Sequence, residues 1–221
     1  MQAGIIANVA GEFSRVDPLR KRRIEDGTEL TDQIEVTGVQ RKSGEIDFDE
    51  GHAAREELAA GRRIQLSNSE ISVQDDPRVT TRYTEFAAVP GSFVLVGSKR
   101  GSFLFDLLES TTDTVINRAT IDLGGFMDQF DTITPWKVGF YDATNNAEKG
   151  TLYGEDVLSA EVGHLLDDAL FNQLGAVVEY GDSEFKLTIT ESGYVGIHRP
   201  SGLDTVDFLT FIDETVEPFL G

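Results

Sequence analysis

The chain has 221 residues and no cysteine, is 39% hydrophobic and 26% charged, and sets 39 Asp and Glu against 19 Lys and Arg for a formal net charge of −20. That composition suits one folded domain or two small ones, and it excludes disulfides, a thiolate nucleophile and any thiolate-bound zinc or iron–sulfur centre. No run of 18 apolar residues occurs, and the mildly apolar Met1–Phe13 stretch lacks basic residues and is broken by Glu12, so neither a membrane-spanning helix nor a secretion signal is expected and a cytoplasmic location is.

Gln33 to Val39 alternates apolar and polar residues and reads as a strand. Asp49 to Ala60 reads as a short helix, with acidic residues at its start, good helix formers within and Gly61 closing it. Arg62 to Gln74 reads as a hairpin about Ser67-Asn68-Ser69, with Ile64 and Leu66 on one arm and Ile71 and Val73 on the other. Arg82 to Val96 is a second hairpin about Pro90-Gly91. Its arm Phe93-Val94-Leu95-Val96 is apolar throughout, as expected of a strand covered on both faces. Ser102 to Glu109 can form a short helix, and polar Ser110–Asp113 marks a boundary between an N-terminal lobe (1–112) and a C-terminal lobe (113–221). Val115–Leu123 and Trp136–Tyr141 read as strands, with Trp136 in the core, and Asp142–Gly150 as a surface loop. Ser159–Leu174 has apolar residues at helical spacing and a following Gly175, so a helix is expected. Ala176–Tyr180 is a short strand, Glu184–Thr190 and Gly193–His198 a hairpin, and Asp204–Leu220 a last helix with a wide apolar arc. This order lacks regular β-α alternation. It predicts an α+β fold, mostly antiparallel, with three or four helices, two of them packing on a C-terminal sheet.

Charge is unevenly spread. Residues 1–100 hold 14 basic and 17 acidic side chains, and residues 101–221 hold 5 and 22. So acidic a surface repels itself in dilute buffer, whereas at molar salt the Debye length of about 3 Å screens the repulsion. The composition resembles that of proteins from salt-accumulating cytoplasms. The basic residues are mainly Arg and are clumped at Arg20, Lys21, Arg22 and Arg23, at Arg41 and Lys42, at Arg62 and Arg63, and at Lys99 and Arg100. A guanidinium makes short bidentate contacts that survive screening better than diffuse attraction does. The expectation is therefore a non-enzymatic binding protein that engages nucleic acid or a protein partner through Arg20, Arg22, Arg23, Arg62, Arg63, Lys99 and Arg100. The alternative for these residues is ordinary solvated positions and ion pairs.

The phosphate loop, the dinucleotide fingerprint, the G-x-S-x-G elbow and the H-E-x-x-H zinc motif are all absent. Gly97-Ser98-Lys99-Arg100-Gly101 is a basic, Gly-flanked turn that could hold a phosphate. Glu184-Phe185-Lys186 on a predicted strand resembles the core of the PD-(D/E)xK nucleases. That resemblance implies a metal-dependent nuclease or hydrolase using Glu184 and Lys186 with Asp182, Asp167 or Asp168, although none of these Asp residues follows a Pro. A cross-strand ion pair is the simpler reading. Asp47, Asp49, Glu50 and His52 read as solvated surface and helix N-terminal charge. No cofactor and no metal are expected. A third possibility is a structural or assembly protein held by apolar helix faces, with the last helix contributing to a homo-oligomer.

Overall fold

The computed structural model describes residues 1–11, 13–41, 45–142, 148–159, 166 and 169–221. Its strands are β1 (Ala3–Ala10), β2 (Leu19–Glu25), β3 (Thr28–Gln40), β4 (Phe48–Ala59), β5 (Arg62–Leu66), β6 (Ile71–Asp75), β7 (Arg78–Val89), β8 (Phe93–Val96), β9 (Val115–Arg118), β10 (Ile133–Tyr141), β11 (Lys149–Tyr153), β12 (Leu170–Tyr180), β13 (Ser183–Thr190) and β14 (Tyr194–Arg199). Among the described residues three short α-helices accompany them, α1 (Phe103–Thr112), α2 (Leu123–Asp128) and α3 (Thr205–Phe211).

Twelve strands form one antiparallel sheet in the order β11-β10-β12-β13-β14-β1-β8-β7-β4-β3-β2, with β9 also on β1, while β5 and β6 form a separate two-stranded sheet. The expected α+β architecture is thus corrected: the protein is mostly β, with few and short helices. β1 bonds both β8 and β14, so one sheet runs through both halves of the sequence.

Both faces of the sheet's middle are buried. On one face Ile6, Leu95, Val195, Leu187 and Ala176 lie under α2 and the C-terminal segment, which contributes Phe208, Leu209, Phe211, Ile212 and Val216. On the other, Ile5, Val94, Val96, Phe86, Ala53 and Ile34 lie under α1 and the Phe13–Val16 stretch. The uninterrupted apolarity of Phe93–Val96 follows from this, since every one of its residues is buried.

One predicted helix is a strand, and the C-terminal end of another lies in a strand. Asp49–Ala60 has helix-forming composition, but β4 is hydrogen-bonded to β3 on one side and β7 on the other, and tertiary pairing overrides propensity. Gly51 fits that close packing, because a Cβ there would lie 1.9 Å from the Glu35 carbonyl oxygen. Leu170–Leu174 lies in β12, where Leu174, Ala176 and Val178 alternate into the core. Residues 160–165, 167 and 168 of that predicted helix lie outside the described residues. The last helix begins where expected, with the Asp204 carboxylate accepting from the Asp207 amide at 2.8 Å. It then widens into a π-type turn (Ile212–Val216) and tightens into a 3₁₀ turn at Glu217–Phe219, which includes Pro218. These changes of pitch rotate its apolar arc and bury nearly all of it within the chain. β1, β2, β11 and α2 have no counterpart in the sequence-based reading.

Candidate functional site

Paired residues on adjacent strands share a face, which places the Arg clumps. Arg20 and Arg22 on β2 pair with Gln33 and Thr31 on the face away from α1. Arg22 lies 3.3 Å from Glu29. Arg23 points to the opposite face and, with Arg55, holds the buried Asp32 at 3.4 and 3.2 Å. Arg63 pairs with Asp76 at 3.5 Å. Lys99 and Arg100 sit in the 3₁₀ turn (Lys99–Ser102) that leads into α1. With Arg82, Glu57, Thr80 and Thr81 they line a cleft of about 770 Å³. The structure thus brings Lys99 and Arg100 together with Arg82 and sets Arg20 and Arg22 on the other face. Among the described residues, Arg20, Arg62, Lys99 and Arg100 have no carboxylate within 4 Å.

Asp182 lies in the turn between β12 and β13, where its neighbour Gly181 takes a positive φ of 57°. Glu184 and Lys186 share a face of β13. Glu184 pairs in register with Glu179, and the Lys186 ammonium stands 4.8 Å over the Trp136 ring. His198, exposed on β14, contacts Thr188 Oγ1 through Nε2 at 2.9 Å and packs edge-on against Trp136. Asp167 and Asp168 lie outside the described residues. Among the described residues no group of three or more His, Asp or Glu side chains is placed to hold a metal ion. Asp49 is no surface charge: it is fully buried, accepting from the Val16 amide at 2.6 Å and from Arg41 at 2.7 Å.

The most unusual surface is the hairpin that continues β4 and β7. The last β4 residue paired with β3 is Arg55, opposite Asp32, and the first β7 residue paired with β8 is Phe86, opposite Val96. Beyond these points β4 and β7 pair only with each other, and β5 and β6 continue the same register from Ala59–Arg78 to Arg62–Asp75. Pro77, which lacks an N–H, interrupts the ladder, and the Asp76 amide donates to the Gly61 carbonyl at 2.8 Å. The resulting arm is a two-stranded ribbon about 30 Å long at roughly 3.3 Å per residue. Its tip is closed by the Ser67 amide donating to the Glu70 carbonyl at 2.9 Å.

One face of the arm is an apolar stripe. Leu58 pairs with Val79, Ile64 with Val73 and Leu66 with Ile71, with Arg62 opposite Asp75 in the same row. Exposure is 63% at Ile64, 77% at Leu66, 69% at Ile71 and 56% at Val73. Sequence reasoning found this hairpin and its alternation. That the alternating side chains face solvent depends on tertiary structure, which no local pattern reports.

On the other half, a cleft of about 320 Å³ is lined by Tyr180, Ser183, Phe185, Pro200, Leu203 and Asp207, among others. Tyr180, Phe185 and Phe211 form one aromatic cluster beneath it. The Tyr180 hydroxyl donates to Glu214. Burial and that carboxylate push its ionisation far above the ordinary phenol range, so it stays protonated. Burial, then the neighbouring Glu214 charge, raise the Asp213 carboxyl above its ordinary value. No helix of the described residues is long and apolar enough to cross a membrane. No family model, curated protein or solved structure matches the chain.

Proposed function

We propose that this protein is a non-enzymatic docking module of a salt-adapted cytoplasm, gripping another protein through the apolar face of its arm. The observation that carries this reading is the row Ile64, Leu66, Ile71 and Val73, bare on a ribbon with no third strand among the described residues. Burying one such side chain completely is worth roughly 1.5–3 kcal/mol, so covering four is a substantial driving force even after the costs of association. An isolated two-stranded ribbon is marginal by itself, and exposed apolar patches mark interaction surfaces. Apolar burial also persists in concentrated salt, where diffuse charge attraction fails.

A second reading has its own observation. Lys99, Arg100 and Arg82 converge on the cleft at the root of the arm, and an anionic group of a nucleic acid would fit there. Glu57 in the same cleft, 2.8 Å from Arg82, weakens that field and places this reading second.

Affinity capture from a native extract in 2 M KCl separates the two, with and without nuclease, using wild type, Ile64→Ser/Leu66→Ser and Lys99→Glu/Arg100→Glu. The docking reading predicts a nuclease-resistant protein partner that the arm variant loses. Nuclease-sensitive capture that depends on Lys99 and Arg100 contradicts it.

A further inference from the structure

The arm needs an acceptor, and the chain carries one of matching chemistry on its other half. We propose that the arm of one copy docks into the Tyr180–Phe185–Pro200–Leu203 cleft of a second copy. This proposal rests on the arm being the docking element. Tyr180, Phe185, Pro200 and Leu203 give the cleft an aromatic and aliphatic part that matches the Ile64, Leu66, Ile71 and Val73 face, beside the polar Ser183, Asp207 and Thr210.

Charge favours this occupant. Two chains of net charge −20 bring like charges together at most possible contacts, which is unfavourable at contact distance even where molar salt screens the longer-range repulsion. Residues 62–75, the outer part of the arm, carry Arg62, Arg63, Glu70 and Asp75 and are neutral as a unit, so this part approaches the acidic half without net repulsion. Arg62 has no carboxylate within 4 Å among the described residues. At the cleft, Asp207 lines the wall and Asp182 and Glu184 flank Ser183, with no cation within 4 Å of any of the three among the described residues. Docking brings that unpaired cation to unpaired carboxylates and makes the contact directional. Donor and acceptor are different surfaces, so the contact is heterologous. It closes a ring, the smallest being two copies that exchange arms reciprocally, or propagates a filament.

Light scattering on purified protein in 2 M KCl, from micromolar to hundreds of micromolar, tests this. Circular dichroism on each variant confirms folding. Wild type is expected at masses of two or more 24.3 kDa chains. Ile64→Ser/Leu66→Ser, which disables the arm, and Ser183→Arg, which fills the cleft and adds a cation, are each expected at one chain. Mixing the two variants restores one working contact per pair and should give a 1:1 dimer and nothing larger. Monomeric wild type over the whole range, multimers indifferent to either variant, or a mixture that stays monomeric overturns the proposal. If wild type is monomeric but extract capture still depends on the arm, the second-copy assignment falls and the docking reading stands. If neither depends on the arm, both fall.

Discussion

Asp49 carries the clearest residue-scale consequence. Its buried carboxylate ties the Val16 amide and Arg41 to β4 and so helps hold the loop that covers α1's face of the sheet. Breaking a buried pair strands the other partner at about 3–5 kcal/mol; Arg41 is about one-third exposed, so Asp49→Asn should cost about 3 kcal/mol, at the low end. Denaturant unfolding followed by the single Trp136 measures it, and a loss under about 1 kcal/mol contradicts the assigned role. Asp213 runs the other way. Its value is raised in the fold, so its contribution to stability is complete below the unfolded carboxyl value of about 3.9 and is lost as pH rises through the raised one. Asp213→Asn, neutral at every pH, should therefore melt higher than wild type at pH 7 and gain nothing near pH 3. A gain that is the same at both pH values would show that charge is not the cause.

At the scale of the element, the arm should tolerate what the core does not. Ile64→Ser/Leu66→Ser changes only exposed positions and should leave global stability within about 0.5 kcal/mol. Gly51→Ala on β4 forces a Cβ against the Glu35 carbonyl and should destabilise by more than 1 kcal/mol. Equal effects of the two in thermal melts would mean that the arm packs on the body after all. The same contrast explains which elements the sequence made legible. Hairpins announce themselves through turn residues and alternation, as at Ser67–Glu70 and Pro90–Gly91, and the Asp204 cap marks a helix start. Local composition misleads where neighbours decide. Ala and Glu in β4 look helical until β3 and β7 flank them, and Leu170 and Leu174 fit a helical stripe until β10 and β13 claim β12. The arm's residues were readable; their exposure, and the Tyr180–Leu203 cleft assembled from positions more than twenty residues apart, were not.

For the molecule as a whole, the net charge of −20 bears on the conditions under which the fold is stable. Long-range repulsion opposes the compact state and is screened by molar salt, so circular dichroism should show a lower melting point in 0.1 M than in 2 M KCl. Equal melting at both would remove the salt-adaptation reading while leaving the arm untouched. On the proposed reading, the acidic half disfavours non-specific association and the neutral outer part of the arm, residues 62–75, meets a partner. Amide hydrogen exchange across residues 62–75 tests that claim most directly, comparing dilute purified protein with protein captured from its native high-salt extract. The account predicts fast exchange along the free arm and markedly slowed exchange in the captured form, with β1 and β8 protected in both. Equal, fast exchange of the arm in both samples would contradict it.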